Sequence, residues 1–151
     1  MSRVRFRVRP YDAPLTRPLE TGAGAFNCRA GFYLAAKDDT GRRGLGEAAP
    51  LPAWGSESLE ACREALAAIE NASFEAAEAL AATGLDRRRT PAAYAAAELA
   101  LMDLRARQAG VSLATLRGGA RRQSVPVNAL IGAQAPEHAA DEAREAIARG
   151  H

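Results

Sequence analysis

Residues 90–119 read TPAAYAAAELALMDLRARQAGVSLATLRGG, and this stretch decides how the rest of the chain is parsed. Thr90 is a candidate helix cap, and Pro91 suits a first turn, where its missing N–H has no partner to lose. Nothing interrupts the pattern before Gly110, a natural C-terminal stop. Tyr94, Ala97, Leu101 and Leu104 recur at helical spacing, so one stripe is apolar and faces a core. Glu98, Asp103, Arg105 and Arg107 lie off that stripe. Val111, Leu113 and Leu116 make a short apolar turn before Gly118-Gly119.

Upstream, residues 3–9 alternate, with Val4, Phe6 and Val8 on one face and Arg3, Arg5, Arg7 and Arg9 on the other. That pattern predicts a half-buried strand with a solvated face. Residues 11–27 hold Pro14, Pro18, Gly22 and Gly24 without a period and read as a loop. A second strand is expected over Cys28–Lys37, with Phe32 and Leu34 facing one way and Tyr33 the other. Asp38-Asp39-Thr40-Gly41 is a turn, and Arg42–Ala48 returns as a third strand. Pro50, Pro52 and Gly55 form a second loop around the only tryptophan, Trp54. Ser56 or Ser58 caps a helix whose positive end suits Glu57 and Glu60, with Leu59, Cys62, Leu66 and Ile69 inward. A shorter helix over Phe74–Ala82 ends at Gly84. The sum is an α+β domain with helices on one face of a three-stranded antiparallel meander.

Downstream of residue 120 the character changes. Ser124–Ile131, SVPVNALI, is apolar without clean alternation, which predicts a strand covered on both faces. Gly132–Pro136 turns, and Glu137–Arg149 reads as a helix with Ala140, Ala143 and Ile147 inward. This is one β/α unit, and two domains are expected, 1–120 and 121–151.

Composition narrows the function classes. The chain has 151 residues, 48% hydrophobic and 5% aromatic, with a formal charge of +2. That near-balance gives no reason to invoke nucleic acid. Cys28 and Cys62 are too few for a disulfide framework and lack metal spacing, so two free thiols are expected. There is no apolar signal core, and no run approaches about 18 apolar residues, so a cytoplasmic protein without a membrane partner is expected.

Particular residues point to a family. Gly44-Leu45-Gly46-Glu47-Ala48-Ala49-Pro50-Leu51-Pro52 closes the meander. Glu98-Leu99-Ala100-Leu101-Met102-Asp103-Leu104 lies in the helix, Leu116 precedes Gly118-Gly119, and Val125-Pro126-Val127 opens the last strand. Together they resemble the enolase superfamily, muconate-lactonizing subgroup, in which an α+β capping domain precedes a TIM-like barrel. Pro50-Leu51-Pro52 with Ser56-Glu57-Ser58, Arg29-x-Gly31 and Asn128-Ala129-Leu130 look most like the o-succinylbenzoate synthases, dehydratases of menaquinone biosynthesis. Dipeptide epimerases, racemases and cycloisomerases share the scaffold, and fold does not fix function.

The resemblance implies proton abstraction α to a carboxylate by a barrel lysine, with Mg²⁺ stabilising the enediolate. It places those lysines and metal ligands on later barrel strands, beyond His151, so this chain is expected to hold no catalytic residue, no metal ligand and no activity of its own. The only lysine, Lys37, belongs to the cap hairpin. Asp141, Glu142 and Glu145 sit on a helix expected to point away from the site. His138 and His151 are expected to be solvated, and Glu47 to be structural. Two loops of the cap, about 13–27 and 51–55, are implied to close the barrel mouth. The candidate substrate-binding residues are therefore Arg17, for a carboxylate, Trp54, as a pocket wall, and Ile131, at a strand end. The implied partner is a small carboxylate substrate, and the apolar strand is compatible with a homo-oligomer. Outside enzymes, a non-catalytic remnant and a small binding module on the arginine strand are the alternatives.

Overall fold

A computed structural model describes residues 2–21, 24–119, 122–132 and 135–151. Gly22, Arg121 and Ala133, which belong to the expected first loop, second domain and turn after the last strand, lie outside the described residues. The chain divides into two compact units, Met1–Asp12 with Ala30–Gly119, and Ala13–Arg29 with Ala120–His151.

The sheet has order β3-β2-β1-β4, from β1 (Arg3–Thr21), β2 (Gly24–Asp38), β3 (Arg43–Ala48) and β4 (Ser73–Glu75), and the parts of β1 and β2 within Ala13–Arg29 belong to the second unit. The expected meander is present, with β3 antiparallel to β2 from Phe32↔Ala48 to Lys37↔Arg43. Val4, Phe6, Phe32 and Leu34 are buried and the arginines of β1 are exposed, as the alternation requires. The turn between β2 and β3 closes with the Asp38 N–H donating to Arg42 O at 3.1 Å and Gly41 at φ 87°.

Residues 11–27 do not form the expected loop: β1 and β2 run through them to Thr21 and from Gly24. The prolines explain how. Ser2 O and Phe6 O both accept bonds from the β4 side, so even-numbered residues of β1 present their backbone to that edge. Pro10, Pro14 and Pro18 are all even. Continuing the alternation, their missing N–H groups fall on the outer edge, where no ladder is lost. A second difference is β4. Residues 73–75 pair with Arg3–Arg5 although Phe74 was expected to open a helix, and of the expected Phe74–Ala82 only Ala79–Ala82 (α2) is helical. Asn71, at φ 63°, turns the chain into this strand, a conformation asparagine tolerates.

Helix α1 (Leu59–Ile69) buries Cys62, Leu66 and Ile69, and its cap Ser58 accepts from the Ala61 N–H. Helix α3 (Pro91–Ala109) stops at Gly110 in the left-handed conformation, with the Val111 N–H returning to Ala106 O. Its buried face is mostly alanine: Ala93, Ala96, Ala97 and Ala100 with Leu101 and Leu104. Alanine buries little area but lets a strand come close. A Cβ on Gly44 would stand 2.1 Å from Ala100 O, and one on Gly46 would stand 2.0 Å from Ala96 O. The Gly-Leu-Gly of β3 is therefore demanded by contact with α3, not by a turn. The Leu45 N–H also donates to Asp103 Oδ2, which receives Arg107 Nε too, both at 2.9 Å. Helix α4 (Leu113–Leu116), capped by Ser112, completes the unit.

In the second unit α5 spans Pro136–Ala148. It buries Ala146, while Ile147, expected inward, is 71% exposed. Ser124–Ile131 lies outside any strand, and Val125, Val127 and Leu130 are exposed. A strand needs a neighbour for its N–H and C=O groups. Among the described residues Val127 O meets His151 Nδ1 at 3.3 Å. No described helix is long and apolar enough to cross a membrane.

Candidate functional site

The site candidates fall into two groups, one in each unit. In the first unit, Leu51–Gly55 carries Trp54 at the end of a single 3-10 turn, Pro52–Trp54, and Trp54 is 62% exposed. Ser56 Oγ accepts the Leu51 N–H at 2.5 Å and closes the loop. The next residue departs from expectation. Glu57 is buried and does not serve α1, the helix it precedes. Its two oxygens accept from Ala92 N at 3.0 Å and Ala93 N at 2.9 Å, at the start of α3. Thr90 makes no side-chain cap there; its hydroxyl donates to Asp86 O. Burial and the Glu57 carboxylate together push the Cys62 thiol up to about 12, so it stays a neutral, inert thiol. Cys28 is exposed.

In the second unit, Arg17 and Ile131 line one cleft of about 390 Å³, with Asn128, Glu142, Arg149 and His151 among the other walls. Arg17 Nη1 meets Glu142 Oε1 at 3.1 Å, and Glu142 Oε2 accepts the Gly132 N–H at 3.1 Å. Glu142 thus faces this cleft, contrary to the expectation that the acids of its helix point away. The Arg17 side chain is 74% exposed, so the pair is worth no more than about 1 kcal/mol. One carboxylate partner can therefore be exchanged for another at small cost, and a guanidinium offers a second carboxylate a two-pronged fit. Arg149 pairs with Glu145 at 3.3 Å on the same wall.

The structure brings Arg17 and Ile131 together; Trp54 belongs to the other unit. Glu47 accepts the Tyr11 hydroxyl at 2.5 Å, and Tyr11 stacks on Tyr33 at 4.7 Å, which is a scaffold role. Lys37 and His138 are exposed. Asp38 is the most perturbed acid. Hydrogen bonds from Gln108 and Thr40, with the backbone N–H groups of Arg42 and Thr40, outweigh its burial and hold its carboxyl at about 2. It fastens the β2–β3 turn to α3 through Gln108 Nε2 at 2.8 Å. Among the described residues no group of three His, Cys, Asp or Glu could hold a metal ion. Sequence reasoning missed Glu57 and Glu142. For Glu57 there was half a signal: Thr90-Pro91 starts a helix whose next N–H groups need an acceptor, but nothing local says it comes from 35 residues upstream.

No protein-family model matches the chain. It is 48% identical over 58 residues to the o-succinylbenzoate synthase of Thermosynechococcus vestitus, covering 38% of this chain and 18% of that enzyme. It is 32% identical over 141 residues to the hydrophobic dipeptide epimerase of Roseobacter litoralis, covering 88% of this chain and 38% of the epimerase. Among solved structures, the dipeptide epimerase of Methylococcus capsulatus, complexed with Mg and the dipeptide L-Arg-D-Lys, matches with a TM-score of 0.81 and 29% identity. That match covers 99% of this chain and 44% of that one. The chain spans less than half the length of each of these proteins.

Proposed function

Since this chain belongs to the enolase superfamily, we propose that it is the capping domain, to about residue 120, and the first barrel β/α unit of an o-succinylbenzoate synthase-like dehydratase. The observation that carries this is the 48% identity to a synthase, against 32% to the epimerase, although over a shorter span. In this proposal abstraction of the proton α to a carboxylate, and the loss of hydroxide that follows, are the work of barrel residues other than those described here. The described residues offer no ligand set for Mg²⁺.

The chain's own residues bind, orient and exclude water. Arg17 exchanges Glu142 for a carboxylate of the substrate and Ile131 supplies an apolar edge beside it; Trp54, on the other unit, is a separate apolar substrate contact in this proposal. A closed, dry site strengthens the Arg17 contact, because charges attract more strongly where water is absent. The partner is a small carboxylate. Menaquinone biosynthesis, a cytoplasmic setting and a homo-oligomer belong to the same proposal. A dipeptide epimerase is the second reading, favoured by the longer match to the Roseobacter enzyme.

The test is a pair of chimeras, in which this chain replaces the matching part of the Thermosynechococcus synthase or of the Roseobacter epimerase. Formation of o-succinylbenzoate by the first, with loss of epimerisation in the second, is expected. Retained epimerisation with loss of synthase turnover overturns the proposal in favour of the second reading.

A further inference from the structure

We propose that Ser56-Glu57-Ser58 is a three-way clamp that presets the position of Trp54, with Glu57 as its positioning residue. The consequence for specificity rests on the reading of Trp54 as a substrate contact; the clamp itself does not.

Three consecutive side chains grip three different elements. Ser56 Oγ takes the Leu51 N–H at 2.5 Å and shuts the loop. Inside it, the Trp54 N–H donates to Leu51 O at 2.9 Å and the Gly55 N–H to Pro52 O at 3.0 Å. Gly55 sits at φ 89°, which a side chain would strain. Glu57 places one oxygen on each of two N–H groups at the start of the 19-residue helix α3. A carboxylate is favoured there by the helix dipole and by charge-assisted bonds. Ser58 caps α1 through the Ala61 N–H at 3.1 Å. The exit of the Trp54 loop is therefore fixed at two helix starts, with no unconstrained residue between.

The position of the acceptor is informative. An Asp, Ser or Asn at residue 90 would cap α3 locally. Instead Thr90 donates to Asp86 O, and the acceptor comes from the residue adjoining the Trp54 loop. Glu57 is buried against Cys62, in an environment that keeps the thiol neutral, so the carboxylate has little room to wander.

Trp54 is the only tryptophan, so its fluorescence reports this loop alone. The experiment is time-resolved anisotropy on the 151-residue chain, with melting temperatures measured in parallel. Glu57→Gln and Ser56→Ala are expected to raise the amplitude of the fast depolarising motion about twofold, since a loop released from its anchors moves on the nanosecond scale. Ser58→Ala, which removes the α1 anchor but keeps the Ser56 and Glu57 contacts, is expected to lower the melting temperature and to loosen Trp54 less than either of those variants. Thr90→Asp in the Glu57→Gln background is expected to recover melting temperature while Trp54 stays loose. Ser56→Ala keeps the test alive if Glu57→Gln does not fold. Unchanged anisotropy in both Glu57→Gln and Ser56→Ala, or full recovery of both readouts by Thr90→Asp, overturns the clamp and leaves Glu57 a helix cap. Failure of the proposed enzyme function is read separately, from turnover of the chimeras.

Discussion

The unit of Met1–Asp12 and Ala30–Gly119 fully buries Phe6, Leu34, Leu66 and Ile69, whereas that of Ala13–Arg29 and Ala120–His151 leaves Val125, Val127, Leu130 and Ile147 exposed. In the first, each large buried side chain contributes on the order of 2 kcal/mol, and the contact between β3 and α3 tolerates no added atom. In the second, Arg17–Glu142, Arg144–Asp141 and Arg149–Glu145 are exposed ion pairs, each worth about 1 kcal/mol or less. The first unit is built to hold a shape. The second presents charged groups that can change partners.

The contrast can be broken most forcefully at Gly46. Gly46→Val puts a side chain into Ala96 O, and separating strand from helix opens the core layer, so a cost above about 3 kcal/mol is expected. Loss of a cooperative thermal transition checks it. Leu66→Ala comes next, with about 3 kcal/mol expected from lost burial and the cavity left behind; urea denaturation measures it. Arg17→Ala should cost under about 1 kcal/mol of stability, while in the synthase chimera it should raise KM for the carboxylate substrate far more than it lowers kcat. Ile147→Ala, at an exposed position, should stay within about 0.5 kcal/mol. If Ile147→Ala cost as much as Leu66→Ala, the contrast between the units would be wrong.

Acid sharpens the same contrast without mutating the core. The carboxyl of Asp38 titrates at about 2 in the folded chain, below its ordinary 3.8. A depressed folded value means that its stabilisation is complete above about pH 4 and is lost as pH falls through 2. Between pH 4.5 and 2 the melting temperature of the first unit should therefore fall. Asp38→Asn should start lower at pH 4.5 and flatten that decline.

The elements most legible in the sequence were those whose signal is local. Helix α3 followed from Thr90-Pro91, an unbroken period and Gly110; α1 followed from Ser58 and its stripe; and the meander followed from alternation around Asp38–Gly41. What was not legible depends on partners distant in sequence. Pro10, Pro14 and Pro18 look like strand breakers until β4 shows which edge they face. Ser73–Glu75 is a strand only because Arg3–Arg5 lie beside it. Ile147 looked inward from its helix stripe, but Ala146 is buried instead, since the stripe fixes a face and not the neighbour it meets. Of the candidate site, Arg17 and Ile131 were named one by one from the sequence; that both line one cleft of the second unit was not legible there. Nor were Glu57 and Glu142, because a carboxylate does not announce which N–H or guanidinium it will find.

The central claim is that this chain carries shape and substrate contacts while the reaction's base and metal ligands are not among its residues. It is tested most directly by assaying the pure 151-residue chain, after a cooperative melt has shown it to be folded, for o-succinylbenzoate formation and dipeptide epimerisation with and without Mg²⁺. No turnover above the uncatalysed rate is expected under either condition. Mg²⁺-dependent turnover of either substrate would contradict the claim.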